Sequence, residues 1–275
     1  MASQAPPIRF LVSDIDGTLV TGDKTLTPAA VEAVERVRAA GMAFTVISSR
    51  PPRGMAAIVD RLGVDLPFAA FNGGNLVGPD MRLIQALRLD RPVAEGVLKL
   101  LAERDIGAWV FADGLWMLRD PHGPGVERER QAVGFEPTAV EDFSPVLDRV
   151  DKIVGVSDDA TAVSALEREA CALFGGRANV ERSQAYYLDF THPRANKGEA
   201  VRTMAAMLRV DLSQTVVIGD MTNDVDMFKV AGLSVVMGQS PPEVKAAADA
   251  QTDSNEDDGF AHAVARFILP RAAGR

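Results

Sequence analysis

The stretch IRFLVSDIDGTLV, Ile8–Val20, decides how the rest of the chain is read. An apolar run that stops at a glycine-containing turn predicts a buried strand with a sharp exit at Gly17. Asp14 and Asp16 lie where that strand runs out. A spacing of two lets both carboxylates project toward one side, and Gly17 permits the turn. Asp14 can then attack phosphorus, while Asp16 can protonate a leaving oxygen and later activate water. A solvated aspartate turn is the structural alternative, since Asp and Gly are common turn residues.

Outward from that strand, Thr27 and Pro28 signal a helix start, Val31, Val34 and Val37 supply part of a face, and Gly41 a stop. MAFTVISS (42–49) reads as a second strand, Met55, Ile58, Val59 and Leu62 as a second helix, and PFAAFNGG (67–74) as a short third strand. From about Arg82 to near Thr191 the pattern changes to short strands mixed with helices, which predicts an inserted α+β domain. TVVIGD, DVDMFKVAG, LSVVMG and PPEVKAAAD then restore strand and helix alternation, and Ala261, Val264, Ala265 and Ile268 mark a closing helix. The expected architecture is α/β: an open Rossmann-like parallel sheet core from residues 1–84 and 189–275, with the α+β insertion over 85–188. In such sheets polar clusters at strand ends meet in one crevice.

The chain has 275 residues, enough for a substantial core, and is 47% hydrophobic and 24% charged, a balance of folded proteins. A net charge of -9 disfavours broad nucleic-acid binding and leaves small anions eligible at a local positive pocket. No run reaches the roughly 18 apolar residues of a membrane span, and the polar, proline-containing leader lacks a signal-peptide pattern, so a cytoplasmic location is expected. Oligomeric state leaves no trace in the sequence. Cys171 is the single cysteine, in EREACALFGG, and reads as a packed thiol on a helix running to glycine.

GDMTNDVDMF (219–228) adds Asp220 and Asp224 after another apolar strand. Gathering these with Asp14 is costly without a counterion, and Mg2+ accepts hard oxygen ligands. Asp14 and Asp220 are the first candidates, with Asp224 through water and Asp16 through its main-chain carbonyl. Asp224 and Asp226 can instead cap or begin the next helix. Lys197, just before a helical pattern, can compensate phosphate charge and steady Asp14; a solvated loop lysine is the plain alternative. Ser48 ends its strand with a hydroxyl suited to a phosphoryl oxygen or to a helix cap, and Ser49 beside it fits a crowded phosphate pocket. Trp109, Trp116, Tyr186 and Tyr187 are candidates for a substrate-facing aromatic surface, with core packing as their default.

In this ordered set the chain resembles the haloacid-dehalogenase superfamily, specifically the Cof-like phosphatases with a large C2-type cap. DIDGTLV, VISSR, ANKG and GDMTND are similar to its four motifs in order, and SNEDDGFAHAV to its last loop and helix. The resemblance implies Asp14 as nucleophile, Asp16 as acid/base, Ser48 and Lys197 at the phosphate, Asp220 and Asp224 at the metal, and Asn223 beside the phosphate. FNGG and VISSR imply substrate-side contacts for Asn72 and Arg50. The family's usual Thr-Gly is Ser48-Ser49 here, which keeps a hydroxyl. The implied activity is Mg2+-dependent hydrolysis of a small-molecule phosphate monoester through an aspartyl phosphate. Sugar phosphates, nucleotides and phosphorylated cofactors are typical substrates of such enzymes. A phosphosugar mutase on the same fold and a catalytically silent metabolite-binding regulator are the alternatives.

Overall fold

The structure, a computed structural model, describes residues 6–272, so the first five residues of the leader lie outside the described residues. Chain order begins with β1 (Phe10–Asp14), α1 (Pro28–Ala39), β2 (Ala43–Ile47), α2 (Pro52–Arg61), β3 (Phe68–Ala70), β4 (Asn75–Val77) and β5 (Leu83–Ala86). It continues through α3 (Arg91–Glu103), β6 (Gly107–Ala112), β7 (Leu115–Leu118), α4 (Val126–Val133), β8 (Thr138–Ala139), β9 (Val150–Val156), α5 (Ala160–Phe174), β10 (Asn179–Gln184) and β11 (Tyr187–Thr191). It closes with α6 (Lys197–Leu208), β12 (Thr215–Gly219), α7 (Val225–Phe228), β13 (Leu233–Val236), α8 (Pro242–Lys245), β14 (Ala250–Gln251) and α9 (Gly259–Ala263).

Eight strands form one sheet in the order β14-β13-β12-β1-β2-β3-β4-β5, parallel from β14 to β3. β1 and β12 are buried along their whole length, which is why they read as unbroken apolar runs. Leu11, Val34, Met55 and Phe260 pack together on one face, bringing in α1, α2 and α9. Val12, Met204, Phe228 and Val244 pack on the other with α6, α7 and α8. The Thr27 hydroxyl caps α1 by accepting from the Ala30 N–H, and Pro28 takes the first turn, where no N–H is needed.

A second sheet runs β10-β11-β9-β6-β7-β8 and is antiparallel except for the β7–β8 pair. Helices α3 and α5 cover one face through Val97, Leu101, Leu166 and Phe174 packed on Ile153 and Leu188. Its opposite face carries Trp109, Val154 and Tyr187. Strand α-carbon register aligns Trp109, Val154, Asp189 and Glu181 in one row across the sheet. The divisions expected at 84/85 and 188/189 fall inside β5 and β11. Each of those strands pairs within one sheet throughout, so the passages between sheets lie beyond Ala86 and Thr191.

Two readings of side-chain placement need correcting. Cys171 is exposed, because it follows Ala170 on α5 and points about 100° away from the stripe of Val163, Leu166, Ala170 and Phe174. Ala265 is also exposed: α9 passes into a π-helical turn, Val264–Ile268, with Val264 and Ile268 inside and Ala265 turned out.

Candidate active site

Strand order and register build the site. β1 lies between β12 and β2, with Ser13 opposite Ile218 and Asp14 opposite Ile47. The residues that leave these three strands, Asp16, Ser48 and Asp220, are therefore neighbours at the sheet's carboxyl edge. Gly17 makes the turn after β1 with φ +79°, and a Cβ there would sit 2.2 Å from Asp220 Oδ2. Any side chain at that position would drive out Asp220.

Lys197 enters from the first turn of α6, whose cap Asn196 accepts from the Glu199 N–H. Its ammonium is 1% exposed and donates to Asp14 Oδ1 and to Asp224 Oδ1, both at 2.6 Å. Asp224 Oδ2 accepts the backbone N–H groups of Asp220 at 2.8 Å and Met221 at 2.9 Å, which fastens the loop after β12. Asp220 Oδ1 is buried with no hydrogen-bond partner among the described residues. Burial drives Lys197 toward neutrality, but the Asp14 and Asp224 charges outweigh it and keep the ammonium firmly protonated. Burial raises both Asp14 and Asp220, and repulsion from neighbouring carboxylates adds to it. Asp14, Asp220 and Asp224 each offer an oxygen, all within 4.8 Å of one another. An orphaned acceptor amid surplus negative charge fits a hard divalent cation.

Asp16 faces the other way. Arg50 grips it with two bonds, Nε to Oδ2 at 2.6 Å and Nη2 to Oδ1 at 2.7 Å, and Lys24 adds a third at 2.8 Å. Burial would raise the Asp16 carboxyl, yet Arg50 and then Lys24 outweigh it and hold it at about 2. The Ser48 hydroxyl oxygen accepts the Arg50 N–H at 3.1 Å. Asn72, in left-handed backbone with φ 55°, accepts from Asn223 Nδ2 at 3.2 Å and donates to Glu181 Oε2 at 3.5 Å.

A cavity of about 290 Å³ opens between Asp16 and the second sheet. Ser49 and Arg50 line it from the core, and Trp109, Glu129, Lys152 and Tyr187 from the insertion. Tyr186 lines it too, whereas Trp116 does not and is fully buried against Trp109. Lys152 pairs with Asp189 Oδ2 at 2.5 Å and donates to the Ser49 carbonyl at 3.4 Å, so the insertion touches the loop after β2 directly.

Of the residues singled out in the sequence, Asp14, Asp220, Asp224 and Lys197 form one buried cluster. Asp16, Ser48, Ser49 and Arg50 flank it on the cavity side, and Asn72 with Asn223 forms a separate bridge toward β10. Lys24, Glu129, Lys152, Glu181 and Asp189 were not anticipated. Four of them sit on the insertion: Glu129 on α4, Lys152 on β9, Glu181 on β10 and Asp189 on β11. Asp189 within YLDFT and Lys152 within VDKIVGV each carried a signal, a charge amid apolar residues in a buried strand.

Comparison with known proteins identifies the family. The chain is 25% identical to the pyridoxal phosphate phosphatase YbhA of Escherichia coli, over 95% of this chain and 99% of that protein. It is 27% identical to the HMP-PP phosphatase of Cronobacter sakazakii, over 85% of each. A crystal structure of a haloacid dehalogenase-like hydrolase from Bacteroides thetaiotaomicron superposes with a TM-score of 0.85 at 25% identity, covering 94% of this chain and 99% of that one. Residues 11–264 match the family model of haloacid dehalogenase-like hydrolases, and the chain belongs to that family.

Proposed function

We propose that this hydrolase cleaves a small-molecule phosphate monoester in two steps, with Asp14 carrying the phosphoryl group in between. The observation that supports this most is the asymmetry of the two aspartates. Asp14 lies in the buried cluster with Lys197, while Asp16 faces the cavity, on the side a leaving group would occupy. In the first step an Asp14 oxygen bonds to phosphorus, the ester P–O bond breaks, and Asp16 gives its proton to the departing alkoxide. In the second, Asp16 takes a proton from the water that attacks phosphorus, and Asp14 is released.

Asp16 is ionised in the resting site, which suits the second step directly. For the first it must carry a proton, so Arg50 and Lys24 have to relax their hold. A phosphoryl dianion offers both cations a competing partner. Ser48 holds a hydroxyl hydrogen free for a phosphoryl oxygen, since its oxygen accepts from Arg50 N–H. Lys197 keeps Asp14 oriented and offsets charge as the phosphoryl group arrives.

Asp14, Asp220 and the Asp16 carbonyl would hold Mg2+, with Asp224 acting through water because its oxygens already accept from Lys197 and two backbone N–H groups. The ion supplies charge neutralisation at the phosphoryl oxygens. The second sheet serves as a cap that keeps bulk water from the reacting group and selects the leaving group. The names of two relatives, a pyridoxal phosphate phosphatase and an HMP-PP phosphatase, make those two compounds the first substrates to try. The test is phosphate release from a panel of esters with Mg2+ and with chelator: release that depends on the ion supports the reading, and no release from any ester contradicts it.

A further inference from the structure

Among the described residues, every charge that lines the leaving-group cavity has a partner except one; Asp23 accepts from the Thr21 hydroxyl and the Thr25 N–H. Asp16 is paired with Arg50 and Lys24, and Lys152 with Asp189. Arg128 lies 3.9 Å above the Tyr186 ring and reaches Asp158 at 3.9 Å. The Glu129 carboxylate, on α4, lines the same cavity and makes no hydrogen bond or ion pair among the described residues. Its backbone N–H donates to the Gly125 carbonyl at the start of the helix.

Three aromatic rings line the cavity with Glu129. Trp109 and Tyr187 meet edge to face at 5.0 Å, and Tyr186 stands perpendicular to Tyr187 at 4.5 Å. A carboxylate beside aromatic rings is the environment that accepts an organic cation: the carboxylate supplies the charge and the rings their negative faces. Neither a neutral sugar hydroxyl nor a second anion gains as much there. A volume of about 290 Å³ lies at the small end of ligand pockets and admits one ring with its substituents.

Resting on the phosphatase reading above, we propose that Glu129 is a specificity-determining residue that selects phosphate monoesters whose leaving group is a single ring bearing a protonated nitrogen. The ammonium or ring N–H donates to the Glu129 carboxylate while the ring lies against Trp109 and Tyr187. Burial raises the Glu129 carboxyl to about 7, with Lys152 opposing, and the charge of Glu129 in turn helps raise the Tyr187 phenol.

The experiment compares para-(aminomethyl)benzyl phosphate with benzyl phosphate, two esters alike in their scissile bond and different in one ammonium group. Wild-type protein should favour the amine in kcat/KM, mostly through KM. In Glu129→Gln that preference should shrink about tenfold or more, and Glu129→Asp should recover part of it. A merely structural role would lower both esters together and leave their ratio alone. An unchanged ratio in a Glu129→Gln protein that melts like wild type overturns the proposal. So does a wild-type enzyme that hydrolyses both esters without preferring the amine, a result that needs no variant to fold. Hydrolysis of neither ester, nor of any other phosphate ester, instead removes the phosphatase reading on which the proposal rests.

Discussion

The Lys197 ammonium joins Asp14 to Asp224, 2.6 Å from each, with 1% of its side chain exposed. One cation therefore fixes the proposed nucleophile to the loop that follows β12. Removing it leaves three carboxylates in a dry site with nothing to balance them. Lys197→Met should destabilise the protein by about 3–5 kcal/mol, the range for breaking a buried ion pair from one side. Added Mg2+ should recover part of the melting temperature but little turnover. Calorimetry with and without the ion checks both, and a variant as stable as wild type would contradict the assigned role.

Asp220 behaves oppositely in the metal-free protein. Its Oδ1 has no hydrogen-bond partner among the described residues, and burial, then the charges of Asp14 and Asp224, raise its carboxyl pKa, so the ionised carboxylate opposes folding above the ordinary aspartate range. Asp220→Asn should melt at or above the wild-type temperature in chelator near pH 8, by about 1–2 kcal/mol in stability, and should lose the shift on adding Mg2+. A variant that is less stable in chelator yet still shifts with Mg2+ would count against Asp220 as a ligand.

Glu129 gives a pH test independent of turnover. Its folded carboxyl, at about 7, binds a proton more tightly than the 4.5 of the unstructured chain, so stability is intact below 4.5 and falls as pH rises through 7. Glu129→Gln should match wild type near pH 4.5 and exceed it near pH 8 by about 1–3 kcal/mol after allowing for partial exposure. Melting curves of the two proteins across that range decide it, and parallel curves would show an unshifted group.

The cap contact can be wedged at one point. A Cβ on Gly54 of α2 would stand 3.1 Å from the Val133 Cβ of α4. Gly54→Val should push the two helices apart at an overpacking cost of about 1–3 kcal/mol, and raise KM up to about tenfold with a smaller change in kcat. Steady-state kinetics on one good ester reads the split, and an unchanged KM would detach α4 from substrate binding.

The catalytic sheet was legible because its strands are buried on both faces and announce themselves as apolar runs ending in Asp14, Ser48 and Asp220. The insertion was not legible to that depth. Within VERERQAV only Val126 and Val133 turn inward, too few to show α4 by periodicity, so Glu129 passed unnoticed. Trp109 and Trp116 look alike in sequence, and only the fold shows Trp109 at the cavity and Trp116 behind it. The Asp14–Lys197 pair spans 183 positions in sequence, and the ion pair of Asp16 with Arg50 spans 34. The first is reached in the sequence through the order of the motifs, with Lys197 expected to steady Asp14; the second is not, since Arg50 reads there as a substrate-side contact.

The central claim is that Asp14 bears the phosphoryl group and Asp16 moves the proton, and a rapid-quench experiment with intact-protein mass and peptide mapping tests it most directly. A substrate whose leaving group needs little protonation is mixed with Mg2+ and wild type, Asp14→Asn or Asp16→Asn. The expected result is one phosphoryl adduct accumulating on Asp14 in Asp16→Asn, a transient one in wild type, and none in Asp14→Asn, whose amide is a poor nucleophile. A phosphoenzyme mapped to any other residue in active wild-type protein would contradict the account.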